Sequence, residues 1–216
     1  MQVEMKLAEM RVEQFGEMLS SDAPAPGGGS AAALEAAMGA GLVAMVCRLT
    51  EEKAQFARYR AELLALRQRV EDLRLALLDV MDQDTDAFLQ VSRAFPMPKA
   101  TDEERAARSS AIQNGLELCT KAPLEVMRLA AEALELAATL PGRFNENAAS
   151  DLGVAVLSLQ TGIRGAWMNV CINLGSLRNK ELSKSCREQG EALMARMMPM
   201  AERVLKQVEQ VIQGQA

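Results

Sequence analysis

Apolar positions divide this chain into stretches of two kinds. In most of them apolar and polar residues alternate with helical spacing. Residues 3–19 put Leu7, Met10, Phe15 and Met18 on one side of a helix. Residues 52–94 repeat Leu63, Leu66, Val70, Leu73, Leu77 and Met81 at steps of three and four, and residues 182–212 form a last amphipathic stretch. Two segments do not alternate. From Ala31 to Cys47 the only charge is Glu35, and between Leu152 and Leu177 the only charge is Arg164. A helix without a polar face is expected to be covered on every side. The pattern therefore predicts two central helices, over residues 31–50 and from Ser150 or Asp151 to about residue 177.

The breaks between these stretches carry their own signals. Phe95-Pro96-Met97-Pro98 ends the long second amphipathic helix. Thr101 followed by Glu104 has the form of a capping box, and it opens a helix that should kink or restart at Pro123 and continue to about residue 140. Residues 141–147, with Pro141 and Gly142, read as a loop. No strand pattern or internal repeat is visible. The expected fold is all-α: a multi-helical bundle with two buried central helices ringed by long amphipathic ones, forming one domain over residues 1–216.

Composition sharpens this picture. Aromatic residues are only 3% of the chain while methionine is abundant, at 14, a mixture that favours helices over strands. The net charge of −5 comes with no basic run, so no nucleic-acid partner is expected. The N-terminus lacks the basic and apolar regions of a secretory signal, and the apolar run over residues 36–47 is too short to cross a bilayer. The expectation is a cytoplasmic protein with no membrane partner. Four cysteines (47, 119, 171 and 186) form no close pair and histidine is absent, so no metal site is expected. Without histidine, a general base must be Asp, Glu, Lys, Cys or Tyr.

Four features could carry chemistry. The turn Pro24-Ala25-Pro26-Gly27-Gly28-Gly29-Ser30 leads into the first chargeless helix, with Ser30 as a candidate N-cap. A flexible linker would have the same composition, but only 23 residues precede the turn, too few for a domain. No Gly-Lys-Ser/Thr follows, so it is not a Walker loop. A buried helix N-terminus beside bare backbone can hold an anion, and a side chain at Gly28 should block that approach and strain a positive φ. Second, Asp151, Ala155, Ser158, Gly162, Gly165, Asn169 and Asn173 share one face of the other chargeless helix. That stripe is either a close-packed seam or the wall of a polar pocket. Third, Asp79, Asp82 and Asp86 occupy one side of the long helix, expected to be solvated. Asp84 points away from them, on the side of Phe88 and Val91, where burial would raise its pKa. Fourth, Lys99 and Arg108 flank the capping box and could meet an anionic substrate, although surface charge is the commoner reading.

Taken in order, these residues resemble a known family. Ala23-Pro24-Ala25-Pro26-Gly27-Gly28-Gly29-Ser30, the helix ending Met45-Val46-Cys47-Arg48-Leu49-Thr50, Asp84-Thr85-Asp86-Ala87-Phe88 and Pro98-Lys99-Ala100-Thr101-Asp102-Glu103-Glu104 with Arg108 are similar to the cyclodeaminase/cyclohydrolase family of folate enzymes. Pro123, Asn145, Asn147, Ser150-Asp151-Leu152-Gly153-Val154-Ala155 and Asn169-Val170-Cys171-Ile172-Asn173 extend the match over nearly the whole chain. The resemblance implies an all-helical homodimer with a tetrahydrofolate derivative as substrate rather than as a bound cofactor. It implies hydrolysis of 5,10-methenyltetrahydrofolate to 10-formyltetrahydrofolate, or alternatively cyclodeamination of 5-formiminotetrahydrofolate with release of ammonia. An inactive folate-binding or dimerisation module is the third reading. Asp84 would be the base beside the cationic bridge carbon, with Asp151 the alternative base or a partner for the pterin edge. Gly27, Gly28, Gly29, Ser30, Asn147, Asn169 and Asn173 would bind substrate, and Lys99 and Arg108 its anionic glutamate tail.

Overall fold

A computed structural model describes residues 6–214, and among these there are six α-helices and no strand. A 3-10 turn, Leu7–Glu9, precedes α1 (Val12–Leu19), α2 (Gly28–Glu51), a 3-10 segment (Ala54–Tyr59) and α3 (Arg60–Ala94). Then come α4 (Asp102–Ala137), a 3-10 turn (Glu146–Ala148), α5 (Ala149–Leu174) and α6 (Lys180–Ile212). The expected all-α bundle is present. The first amphipathic stretch is broken between Leu7–Glu9 and α1, where Met10 and Arg11 take extended backbone. The expected start at Val3 lies outside the described residues. The long second stretch begins with the 3-10 segment, so its regular helix starts at Arg60 rather than near Glu52.

Helices α2 and α5 pack antiparallel through their small residues. A Cβ built on Gly162 would lie 2.7 Å from the Ala36 Cβ and 2.9 Å from the Ala32 carbonyl, and one on Gly39 would lie 2.8 Å from the Ala155 carbonyl. The middle of the small-residue stripe on α5 is therefore a close-packed seam. Backbones that approach this closely leave no room for a side chain. α3 packs on the far side of α2, and α6 on the far side of α5. α4 lies behind both central helices. The core runs without interruption from Ala33 and Val43 through Leu73, Leu77 and Met127 to Leu159, Ile163 and Met197.

The central helices are not covered on every side. Met38 of α2 is 47% exposed, and Met168 and Ile172 of α5 are 69% and 76% exposed. Leu49, Val154 and Leu157 continue the same open face. Neighbouring helices take up only part of each circumference, and one apolar strip of the α2–α5 pair is left facing outward. By length and composition α2 could cross a membrane, yet it packs within the bundle, with most of its residues buried.

Caps and prolines also differ in detail. Thr101 and Glu104 form the expected capping box, Oγ1 of Thr101 accepting from the Glu104 N–H at 3.2 Å. α2 starts three residues earlier than expected, with Gly27 at the N-cap, so Ser30 sits inside the first turn. α5 begins at Ala149 with no side-chain cap, because Asn145 caps the preceding 3-10 turn instead. Pro123 does not restart the helix: α4 runs through it. The proline has no N–H for the carbonyl of Cys119, four residues earlier. That carbonyl accepts from the Asn173 side chain on α5 at 2.7 Å. The bond lost within one helix is remade between two.

Candidate functional site

The residues with chemical potential meet where the N-terminus of α2, the middle of α3 and the C-terminal end of α5 converge. Asp84 leaves α3 toward the first turn of α2, and the fully buried Ser30 hydroxyl donates to its Oδ2 at 3.2 Å. Ser30 Oγ also lies 3.1 Å from Thr85 Oγ1. Gly29 makes this approach possible. A Cβ there would lie 2.7 Å from Asp84 Cγ and closer still to both carboxylate oxygens. The anion at the α2 N-terminus is thus a side chain of the protein, held where the helix dipole favours negative charge.

Two opposing influences set the state of Asp84. Burial pushes its carboxyl above the ordinary aspartate range, while the Ser30 hydroxyl and backbone N–H pull it down. Burial is the larger, so the result is a carboxylate more basic than one in water. The neighbouring Cys119 thiol is pushed up to about 11, mainly by burial and further by Asp84, and Cys47 to about 12. Both remain protonated near neutral pH and are poor nucleophiles. With no imidazole in the chain, Asp84 is the group here best suited to taking a proton.

Asn169 and Asn173 flank this carboxylate region from α5. Asn169 Nδ2 donates to the Gly165 carbonyl at 2.9 Å, and its side chain lies across from Gly28. Asn173 is anchored on the carbonyl freed by Pro123. The small-residue stripe thus serves both purposes: a packing seam in its middle and polar groups at its C-terminal end. Gly28 has open space around it apart from Asn169, with a Cβ contact of 3.5 Å, and positive φ values occur only at Gly142 and Gly214 among the described residues. The close approach expected at Gly28 therefore falls at Gly29, and no positive φ is involved.

Asp84 lies on the side of buried Val91 as expected, but Phe88 is exposed at the rim. Asp82 departs from its expected solvated position. The extended entry to the N-terminal 3-10 turn brings the Leu7 N–H within 2.8 Å of its Oδ1. Its Oδ2 is buried without a hydrogen-bond partner. Burial raises the Asp82 pKa as well, against the pull of the Leu7 N–H.

Asn147 and Asp151 stand elsewhere. Asp151 occupies the start of α5, eighteen residues before Asn169, which is about 27 Å along a helix, and Asn147 lies in the 3-10 turn just before it. Within one chain they do not join Asp84. Lys99 and Arg108 do come together, in a cavity of about 320 Å³ that Arg105, Ser109, Gln113 and Arg178 also line. Arg108 donates to the Phe95 carbonyl at 3.0 Å. Arg105 pairs with Asp102, and Arg178 donates to Ser109. Arg105 and Arg178 were not expected from the sequence. Arg105 sits one residue beyond a capping box and reads as surface charge, and nothing local points Arg178 at α4. Thr85 was also missed, since it turns away from Asp84 by about 100° on an ideal helix.

Comparison with known proteins finds relatives over nearly the whole chain. Residues 11–192 match the family model described as formiminotransferase-cyclodeaminase. A methenyltetrahydrofolate cyclohydrolase of Methylorubrum extorquens is 39% identical over 92% of this chain and 95% of its own length. The formimidoyltransferase-cyclodeaminase of Rattus norvegicus is 31% identical over 95% of this chain, which spans 38% of that relative. The crystal structure of a formiminotetrahydrofolate cyclodeaminase from Thermotoga maritima superposes with a TM-score of 0.85 at 26% identity, covering 95% of this chain and 99% of that one.

Proposed function

The chain belongs to the formiminotransferase-cyclodeaminase family, and on that premise we propose that it is a folate one-carbon enzyme that hydrolyses 5,10-methenyltetrahydrofolate to 10-formyltetrahydrofolate. The observation that carries this reading is the Asp84 carboxylate, half-buried, raised in pKa and seated against Gly29 and Ser30. A cationic amidinium carbon needs a negative charge nearby and a base for the attacking water, and this one group supplies both. Hydrolysis is preferred over cyclodeamination because the relative named for hydrolysis is 39% identical, against 31% for the rat enzyme and 26% for the Thermotoga protein.

In this reading water adds to the bridge carbon as Asp84 accepts its proton. The carbinolamine then loses its hydroxyl proton as the C–N5 bond breaks and N5 takes up a proton, which leaves the formyl group on N10. Asn169 and Asn173 orient the pterin or the water, and Gly27 to Ser30 form the wall against which the substrate lies. Lys99 and Arg108, joined by Arg105 and Arg178, receive the anionic tail. The step from Cys119 to Arg108 along α4 is eleven residues, about 16 Å, so the tail would extend away from the reacting carbon. No permanently bound cofactor or metal is invoked. The whole chain acts as one helical domain in the cytoplasm.

A second copy of the chain is the proposed cover for the open α2–α5 face. Burying one large apolar side chain is worth about 1.5–3 kcal/mol, and Met38, Leu49, Val154, Leu157, Met168 and Ile172 are exposed together. Light scattering at micromolar concentration should give twice the chain mass, and an active monomer would refute the pairing. A dimer would also be the means of bringing Asn147 and Asp151 of one copy toward Asp84 of the other.

The activity test is spectroscopic. The methenyl compound has a near-ultraviolet band that is lost on hydrolysis, whereas cyclodeamination of the 5-formimino compound creates the band and liberates ammonia. Loss of the band with the first substrate, well above the uncatalysed rate, is expected. Turnover of the formimino compound alone would assign the chain to cyclodeamination, and turnover of neither would leave only a binding module.

A further inference from the structure

Hydration of a methenyl cation releases one proton per turnover, and Asp84 must pass it on before the next cycle. A substrate lying over Asp84 covers the open side of its carboxylate. The polar route that remains runs behind it. Asp84 Oδ2 is 3.2 Å from Ser30 Oγ, and Ser30 Oγ is 3.1 Å from Thr85 Oγ1. Thr85 lines a cavity of about 390 Å³ between α3 and the chain segment before α2, together with Leu7, Met10, Pro24, Asp82 and Asp86. That volume holds several waters. Ser30 itself is fully buried, so its hydroxyl links Asp84 to Thr85 beneath the surface.

We propose that Ser30 and Thr85 form a hydroxyl relay that carries the proton from Asp84 to this cavity, with Thr85 as a positioning residue that completes the path. The relay rests on the hydrolytic reading above. Protonated Asp84 donates to Ser30 Oγ as the hydrogen of Ser30 passes to Thr85 Oγ1, and the hydrogen of Thr85 passes to a cavity water. Each hydroxyl ends with one hydrogen and the carboxylate is restored. One proton reaches the cavity, and no bond to carbon is involved. Asp82 and Asp86 face the cavity as acceptors, with Lys6 also on its lining. Asp82 is already steadied there by the Leu7 N–H. The hydroxyl-to-hydroxyl contact has no other evident use, because Ser30 already donates to Asp84 and caps no helix.

The test uses the full chain and methenyltetrahydrofolate at low buffer concentration, with the uncatalysed rate subtracted. Thr85→Val keeps the shape of the side chain and removes the hydroxyl. It is expected to lower kcat about tenfold or more, a smaller loss than removal of the acid–base group itself, with KM little changed. Thr85→Ser should restore most of the rate. A small diffusible buffer such as imidazole, at tens of millimolar as an order of magnitude, should raise kcat of Thr85→Val and leave wild type unchanged. Wild-type kcat in Thr85→Val at low buffer would overturn the relay. So would a loss that neither Thr85→Ser nor buffer lifts, because that pattern belongs to packing. Failure of the wild type itself to hydrolyse the substrate would overturn the functional reading, and it is seen before any variant is made.

Discussion

The two ends of the α2–α5 pair use similar residues for opposite purposes. At one end Thr50 donates to the Val46 carbonyl at 2.6 Å and accepts from the Asn145 N–H at 3.0 Å. Asn145 reaches the Leu49 carbonyl at 3.3 Å and accepts from the Asn147 N–H at 3.3 Å. Every polar atom in that set meets a backbone group. It is a latch that pins the α4–α5 loop to the end of α2. At the other end, the carboxylate of Asp84 is taken partly out of water with a serine as its principal donor. Satisfied neutral groups stabilise, whereas a desolvated charge costs stability and gains basicity. The difference teaches which polar interruption of an apolar helix pair belongs to chemistry.

The strongest way to break this contrast is Asp84→Asn. Turnover should fall roughly 100-fold or more, since the amide can neither take the proton nor offset the cation. The wild-type rate should rise with pH through the raised Asp84 pKa and then level off, and that limb should vanish in the variant. Stability should move the other way. A carboxyl whose pKa is raised on folding binds more protons in the folded state between its unfolded and folded values. It therefore loses stability as pH rises through that window, and the deficit persists at neutral pH. Asp84→Asn should accordingly melt no lower than wild type at pH 7, and the same melt separates loss of chemistry from misfolding. A clear drop in melting temperature would mean that Asp84 is structural, like Thr50.

Gly29→Ala is the next largest effect. The added methyl occupies the space of the Asp84 carboxylate, so the side chain must swing away. Turnover should fall by tens of fold, as for loss of geometry at a reacting group, with about 1–3 kcal/mol of strain if the carboxylate cannot move. Gly28→Ala makes only an ordinary contact with Asn169 and should be much milder. Equal losses at the two glycines, in kinetic and melting measurements, would show that the turn itself matters and not its contact with Asp84.

Thr50→Val sharpens the comparison from the latch end with the smallest kinetic effect. It leaves the Asn145 N–H without its acceptor and should cost about 1–3 kcal/mol in denaturant unfolding. kcat should stay near wild type. A large loss of kcat with little loss of stability would make this end part of the site.

Much of this protein is legible in its amino-acid order because the signals are local. The apolar spacing along α3 and α6, the capping box at Thr101 and the near absence of charge in α2 and α5 depend on neighbours within a few turns, and helix formation reads just those. Asp84 could be singled out on the same basis, from its side of one helix. What lay beyond such signals was decided by packing. Burial of Asp82, the seating of Arg178 beside Arg105, the uncovered strip at Met168 and Ile172, and the shift of the critical glycine from Gly28 to Gly29 all depend on partners more than fifty residues away or on the circumference left over once helices assemble. The sequence by itself determined which segments are helical, which two are central and which residue types could do chemistry without histidine. Only the tertiary structure decided which of those residues meet, because a hydrogen bond or a desolvated charge exists only where separate helices come within a few ångströms.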